Sequence, residues 1–318
     1  MLLLLFYIRN IRKSIIYCLI FLSVALKLAG IKETDGISNN SKARIILGRL
    51  ILVLIVSTLV VNSIILLSDP HKRHLAALIT LDITAAFATG FGILVVSKYK
   101  TDNLHGKSVF FLTIGLICWF LAEVSATYSY LYLGIAETQL VSLSDVFWLM
   151  GYGAFAVHLF LVISFMHSTV KMHLKSIIAI SIISCLFVAY TILSTPLSDQ
   201  IVEQLRHHDN NPILVFAVNI SYPLLDPILI VPSALILLYL RKDLIHSVPW
   251  WLSSLSLLLN AIADNGFIAD VVKGNIENLW FWDLFFVTDF LIMAAALFWY
   301  FKYHNTDYLK RQHQQTQI

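Results

Sequence analysis

Acidic side chains lie inside long apolar segments of this 318-residue chain. If such a segment crosses a bilayer, a carboxylate at its centre costs about 3 kcal/mol on insertion scales, so an acid there is a candidate functional residue. Carboxyl groups in such places bind cations, relay protons or act as general acids and bases. Six acids are the main candidates for a ligand or ion site: Asp82, Glu123, Asp145, Asp226, Asp264 and Asp283.

The six acids fall into matching positions of two halves of the chain, at a nearly constant offset. The pairs, in chain order, are Asp82 with Asp226, Glu123 with Asp264, and Asp145 with Asp283. Three matches in the same order are harder to attribute to chance than one. Because an even number of helices per copy preserves orientation, this pattern predicts two parallel repeats.

Six further side chains are secondary candidates because they lie near the acids or inside the same segments. They are Trp119, Tyr152, His158, Tyr222, Asn260 and Asp289. Asn260 and Asp264, for example, are four positions apart and therefore share one face of a helix.

Each candidate also has a structural interpretation. Asp145 and Asp283 stand at the start of predicted helices, where a carboxylate caps the N terminus or complements its dipole. The other four acids could bond to a neighbouring helix. A lone histidine such as His158 is more often a hydrogen-bonded packing residue than a ligand.

Three prolines surround Asp226, namely Pro223, Pro227 and Pro232. Each proline lacks an N–H group and frees a backbone carbonyl one turn earlier. Two interpretations stay open: a helix broken where it lines a binding cavity, and a packed proline kink.

Apolar segments are the elements that must position these residues. The chain is 58% hydrophobic and 13% charged, with a mean hydropathy of +0.80, whereas soluble domains carry about 25% charged residues. Since a spanning helix needs about 20 apolar residues, we predict an all-α polytopic membrane bundle of about eight transmembrane helices in two parallel four-helix repeats, with an additional N-terminal apolar helix. The predicted spans are residues 45–67, 75–97, 108–133, 144–166, 174–194, 212–240, 250–272 and 280–302.

These segments divide the chain into four regions. Residues 1–44 form an N-terminal apolar or interfacial segment with a polar linker, 45–166 the first repeat, 167–302 the second repeat, and 303–318 a cytoplasmic tail. Residues 14–29 either lie at the membrane surface or add another span.

The basic residues give an orientation. Lys and Arg collect in alternate connections, and the opposite connections contain only Lys72, Arg73, Arg206 and Lys273. Because Lys and Arg favour the cytoplasmic side of short loops, this pattern predicts a cell-membrane protein with a cytoplasmic C terminus. It also predicts that all six acids lie in the outer half of the bilayer.

Three motifs each contain one of the candidate acids: Ser144-Asp-Val-Phe-Trp-Leu-Met-Gly-Tyr152, Tyr222-Pro-Leu-Leu-Asp226 and Ala263-Asp-Asn-Gly-Phe267, with Asp264 in the third. Together they resemble the multi-pass N-terminal membrane sensor region of bacterial diguanylate cyclases and histidine kinases. The resemblance covers about residues 45–302 and implies a sensory or ligand-binding role ahead of a cytoplasmic output domain. Because the chain ends soon after its last predicted span, we expect signalling to require a separate cytoplasmic protein.

A weaker resemblance concerns the stretch Gly151-Tyr-Gly-Ala-Phe155 with His158, together with Ala263-Asp264. It is similar to lysoplasmalogenase-type membrane hydrolases, which also have about eight spans. That resemblance implies an acid–base role for Glu123, Asp264 and His158 in cleaving a vinyl-ether lipid. Glu123 departs from the aspartate expected at its position.

The leading hypothesis is therefore a sensory or ligand-binding membrane module with an acidic pocket in the outer half of the bilayer. The alternatives are a lipid hydrolase of the lysoplasmalogenase type and a transporter of small solutes or ions. No nucleotide-binding or hydrolase signature occurs, so enzymatic activity stays an open question. We predict no cofactor, no metal and no nucleic-acid partner, and the lipid bilayer is the expected surrounding.

Overall fold

The computed structural model describes residues 39–99, 101–134, 141–167, 174–193, 212–240, 244–272 and 279–303. Nearly all of these residues are helical and none of them is in a strand, which confirms the all-α class. The long helices in the described ranges are α1 (Asn39–Leu66), α2 (Arg73–Tyr99), α3 (Leu104–Tyr128), α4 (Leu143–His167), α5 (Leu174–Leu193), α6 (Pro212–Tyr239), α7 (Leu244–Val272) and α8 (Trp280–Tyr303).

Seven of these helices are long and apolar enough to cross a membrane, which supports a multi-pass integral membrane protein. In α5 the corresponding apolar stretch, Leu174–Phe187, is shorter. The predicted count of about eight spans is therefore supported for seven helices within the described residues. Helix α1 begins at Asn39, six residues before the predicted span. The predictions for residues 14–29 and for most of the 303–318 tail lie outside the described residues.

Six helices form a closed ring. In order around the ring they are α2, α3, α4, α6, α7 and α8, and α8 packs back against α2. Helix α1 lies outside the ring against α8 and α2, and α5 lies outside it against α6. Both outer helices expose large apolar side chains, including Leu59 at 62% and Ile183 at 66%, as a lipid-facing surface requires.

The ring has two distinct ends. The guanidinium of Arg73 lies 4.6 Å from the ring centroid of Trp280, so α2 and α8 begin at the same end. At the other end Lys98 Nζ donates a hydrogen bond of 2.7 Å to the carbonyl of Phe301. We call the end at which α2, α4, α6 and α8 begin the acidic end, because the candidate acids lie towards it.

Polar caps and a left-handed glycine mark several helix ends. Asn103 accepts a hydrogen bond of 2.7 Å from the amide of Gly106 and so caps α3. At its other end α3 continues into a wider turn, Ser129–Leu133, which stops at Gly134 with φ of 65°. A residue without a Cβ adopts that backbone conformation without strain.

Small residues bring neighbouring helices close together, as is usual in membrane bundles. A Cβ atom added to Gly151 in α4 would lie 2.4 Å from Trp119 in α3. One added to Gly266 in α7 would lie 2.1 Å from Trp282 in α8. Each glycine therefore gives a tryptophan ring the space that it occupies.

The prolines of α6 leave the helix continuous from Pro212 to Tyr239. The interpretation of a broken helix at Asp226 is therefore wrong for this structure. The three inner prolines remove N–H donors within one unbroken helix, as a packed kink would.

Candidate functional site

A cavity of about 110 Å³ lies inside the ring, towards the acidic end. A single water needs only about 10–15 Å³ on this measure, so the space suits several waters or one small organic molecule. Helices α2, α3, α4, α6, α7 and α8 all contribute to the wall. The lining residues are Leu81, Trp119, Glu123, Asp145, Trp148, Tyr152, Tyr222, Asn260, Asp264, Phe267, Ile268, Val271, Asp283, Phe286 and Phe290.

Four of the six main candidate acids line this cavity: Glu123, Asp145, Asp264 and Asp283. They come from four different helices, α3, α4, α7 and α8. The ends of these helices explain the convergence. Helices α3 and α7 finish at the acidic end and α4 and α8 start there, so acids late in one pair and early in the other lie at similar depth.

A tryptophan of the next helix holds Glu123 in the wall. Glu123 is only 7% exposed, and its Oε1 accepts a hydrogen bond of 3.1 Å from Trp148 Nε1. The neighbouring Trp119 donates from Nε1 to the backbone carbonyl of Trp148, at 3.2 Å. Its ring packs against Gly151, where no side chain interferes. The first half of the chain therefore supplies an acid in a rigid aromatic frame.

Asp145 combines the structural role with a place in the cavity. Its Oδ2 accepts hydrogen bonds from the backbone amide and the hydroxyl of Ser142, at 2.8 and 3.1 Å, as the acid of a capping box does for the amide ahead of α4. Its Oδ1 accepts a hydrogen bond of 2.8 Å from the hydroxyl of Tyr222 in α6. The carboxyl group therefore both caps its own helix and ties α4 to α6.

Tyr152 connects two acids of the second half. Its hydroxyl lies 2.6 Å from Asp226 Oδ1 and is also hydrogen-bonded to Asp264 Oδ2. A hydroxyl has one proton and can donate only one of these two bonds. The other contact needs a proton on a carboxyl group, so the geometry fits one protonated carboxyl group in this trio. Asn265 donates a further hydrogen bond from Nδ2 to Asp226 Oδ2.

Asp289 lies behind the cavity wall, 1% exposed. The hydroxyl of Ser256 donates to its Oδ1, and Nδ2 of Asn260 donates to its Oδ2 at 3.1 Å. Asn260 itself lines the cavity. Asp289 is therefore separated from the cavity by Asn260, and it accepts a hydrogen bond from the side-chain amide of that residue.

Four of the predicted site residues lie outside the lining. Asp82 does not line the cavity although the preceding Leu81 does, and its Oδ1 is buried without a hydrogen-bond partner. Asp226 and Asp289 are linked to lining residues by hydrogen bonds.

His158 is fully buried, and its Nδ1 lies 2.9 Å from the hydroxyl of Ser108. The packing role of His158 fits this position.

Sequence reasoning missed Ser256 and Asn265. Both lie in α7, where residues 256, 260 and 264 follow one another at four-residue spacing and so share a face. From that spacing alone, the sequence could have shown that Ser256 shares a helix face with Asn260 and Asp264. Asn265 follows Asp264 directly, and only the packing against α6 shows that it donates to Asp226.

The ionisable groups of the described lining are acidic. Among the residues that the structure describes, the lining contains four carboxylic acids and no Lys, Arg or His. Seven aromatic residues complete the wall: Trp119, Trp148, Tyr152, Tyr222, Phe267, Phe286 and Phe290. Among the residues that the structure describes, no group of three or more His, Cys, Asp or Glu side chains is placed to hold a metal ion. The acids surround the space rather than converge on one point.

Comparisons with known protein families, with curated proteins and with solved structures found no match for this chain.

Proposed function

We propose that this integral membrane protein is a sensory or ligand-binding module whose cavity binds a small organic cation. The observation that carries the proposal is the lining itself, in which the described residues include four carboxylic acids from four helices and no basic side chain. A wall rich in carboxyl groups favours a cationic ligand, because negative charge in a buried site is costly unless positive charge compensates it.

The aromatic walls favour an organic cation over a bare metal ion. An ammonium group gains from the faces of tryptophan and tyrosine rings, especially where water is excluded. A divalent metal ion instead needs several oxygen atoms at one point within about 2.6 Å. The lining acids are spread around the cavity, as the absence of a metal cluster in the described ranges reflects.

We place the cavity in the outer half of the membrane and the C terminus of α8 in the cytoplasm. The Lys and Arg distribution supports this orientation. The ring supports the proposed repeat, because α2–α4 and α6–α8 occupy successive halves of it and contact each other at both junctions. A ligand that enters from outside would then reach the acidic end first.

Sensing would follow from the position of the cavity between helices. A cation held among α3, α4, α7 and α8 changes the balance of charge at the contacts between them. Such a ligand shifts the protein towards whichever helix arrangement binds it more tightly. A separate cytoplasmic signalling protein, in contact with the other end of the bundle, would read that shift.

A binding titration tests this proposal. The full chain, reconstituted in lipid nanodiscs, is titrated with tert-butylammonium chloride while the fluorescence of the cavity residues Trp119 and Trp148 is followed. We expect saturable binding, weakened about tenfold or more by Asp264→Asn, since hydrogen bonds to charged groups contribute about 1.5–3 kcal/mol. Asp69→Asn is the matched control.

Asp69 suits this purpose because it is exposed and lies outside the cavity, in the turn before α2. It caps that turn, and asparagine caps equally well. Absence of binding by the wild-type chain, or equal weakening by both substitutions, contradicts the proposal. Lipid hydrolysis abolished by Asp264→Asn, or counterflow uptake in proteoliposomes, would instead assign the cavity to a hydrolase or a transporter.

A further inference from the structure

The hydroxyl of Tyr152 divides two acids into a proton donor and an acceptor. It lies 2.6 Å from Asp226 Oδ1 and is hydrogen-bonded to Asp264 Oδ2 as well. Because a hydroxyl has one proton, it donates to one of these carboxyl groups and accepts a proton from the other. One acid of the pair is therefore protonated, and which one it is decides where the negative charge lies.

Burial distinguishes the two acids. Asp226 is 0% exposed and does not line the cavity. Asp264 is half-buried and does line it, so its side chain borders the space that water or a ligand can occupy. Full burial costs an ionised carboxylate far more free energy than it costs a protonated carboxyl group. The proton therefore belongs on Asp226 and the negative charge on Asp264.

A second hydrogen bond of Asp226 shows which of its oxygens carries the proton. Asn265 Nδ2 donates to Asp226 Oδ2 and also, at 2.9 Å, to the backbone carbonyl of Ala261. Since a backbone carbonyl can only accept, it fixes the orientation of this amide whatever the protonation of Asp226. Oδ2 is thus an acceptor, and the proton lies on Oδ1, which faces Tyr152.

The ionisable groups around the pair favour the same assignment. The charge that Asp226 faces is that of Asp264 itself, and a carboxylate disfavours a second one beside it. The described lining offers no basic side chain that would compensate two charges. The other ionisable groups of the neighbouring helices are Glu123 of α3, Asp145 of α4, Tyr222 of α6, and Asp283 and Asp289 of α8.

We propose that a protonated Asp226 and the hydroxyl of Tyr152 form a hydrogen-bonded chain that directs a single negative charge to Asp264, on the cavity wall. Asp226 Oδ1 donates to the oxygen of Tyr152, and the hydroxyl of Tyr152 donates to Asp264 Oδ2. This inference rests on the proposed function, in which the cation lies beside Asp264. Asp226 is then a positioning residue that acts through Tyr152, and its own charge contributes nothing to binding.

Two substitutions of similar size at position 226 test the chain. Asp226→Asn keeps a neutral donor for Tyr152 and an acceptor for Asn265, so we expect the affinity for tert-butylammonium in nanodiscs to stay within about twofold of wild type. Asp226→Leu removes both groups and leaves Tyr152 without its donor. We expect binding about fivefold weaker in that variant, the scale of one hydrogen bond between neutral groups.

The outcomes separate this inference from the proposed function. If Asp226→Asn weakens binding as much as Asp264→Asn does, both acids are anions, and the inference is overturned while cation binding stands. Unchanged affinity in Asp226→Leu contradicts the positioning role. Absence of saturable binding by the wild-type chain contradicts the proposed function itself.

Infrared spectroscopy locates the proton directly, even if Asp226→Leu does not fold. The carbonyl stretch of a protonated carboxyl group is separate from the amide and carboxylate bands, so the full chain is measured in a detergent without ester groups. At neutral pH we expect Asp226→Asn to lose the intensity of one protonated carboxyl group. Asp69→Asn, which changes an exposed acid, is the matched control and is expected to lose none. An unchanged carboxyl band in Asp226→Asn would show that Asp226 is ionised and would overturn the inference.

Discussion

The two halves of the helix ring hold their acids in different ways. In the first half each acid near the cavity has its own partners: Glu123 is bonded by Trp148, and Asp145 by Ser142 and Tyr222. In the second half the acids are connected. The hydroxyl of Tyr152 joins Asp226 to Asp264. In α8, Asp289 accepts a hydrogen bond from the side-chain amide of the lining residue Asn260 in α7.

The contact between α4 and α6 shows why the halves differ. Tyr152 of the first half bonds to acids of the second, and Tyr222 of the second bonds to an acid of the first. In the proposed repeat the counterpart of Tyr152 is Phe290, which has no hydroxyl. The connected network can therefore form only once, so we expect the two halves to respond differently to substitution.

The largest expected effect concerns the glycines beside the tryptophans. Gly151→Ala places a Cβ within 2.4 Å of Trp119, and overpacking of this kind costs about 1–3 kcal/mol or more. We expect a clear fall in the thermal unfolding temperature together with weaker cation binding, because Trp119 lines the cavity. Gly266→Ala in the second half displaces Trp282, which does not line it, and is expected to lower stability only.

Gly153→Ala is the control, since a Cβ there meets nothing within 4 Å. We expect it to match or slightly exceed the wild-type unfolding temperature, because alanine favours a helix over glycine. Unchanged stability in Gly151→Ala would show that Trp119 moves freely, contrary to the rigid frame around Glu123.

An intermediate effect separates the two tyrosines of the cavity. Tyr152→Phe removes the hydroxyl shared by Asp226 and Asp264 and is expected to destabilise the protein by about 2 kcal/mol, because buried carboxyl oxygens lose their partner. Tyr222→Phe removes one bond to Asp145, which keeps its bonds from Ser142, so about 1 kcal/mol is expected. Unfolding followed in detergent measures both, and a larger loss in Tyr222→Phe would reverse the contrast between the halves.

The smallest effect concerns two buried serines of α7. Ser256→Ala removes a hydrogen bond to Asp289 and is expected to cost about 1 kcal/mol. Ser254 is also fully buried, but its hydroxyl has no hydrogen-bond partner, so Ser254→Ala is expected to be neutral or stabilising. Equal losses in the two variants would argue against a network that extends from the cavity to Asp289.

The position of the acids along their helices follows from the sequence more readily than the direction in which they face. Depth follows from where an apolar segment begins and ends, and four of the six acids do line one cavity. Direction depends on rotation about the helix axis, which changes by about 100° per residue. Leu81 lines the cavity and the next residue, Asp82, does not. A shift of one position along a helix therefore decides whether a side chain belongs to the cavity wall.

Contacts across helices could not be read from the sequence at all. The partners of Tyr152 lie in α6 and α7, 74 and 112 positions along the chain. The prolines of α6 illustrate the same point, since the sequence left open whether they break the helix. The structure has one continuous helix there, packed against α4 and α7.

The most direct measurement compares two acids that the sequence pattern grouped together and the structure separates. The affinity of the full chain for tert-butylammonium is measured in nanodiscs for wild type, Asp82→Asn and Asp264→Asn. The account predicts a loss of about tenfold or more for Asp264→Asn, which lines the cavity. It predicts an affinity within about twofold of wild type for Asp82→Asn. Equal losses, or a loss in Asp82→Asn alone, would contradict a binding site in this cavity.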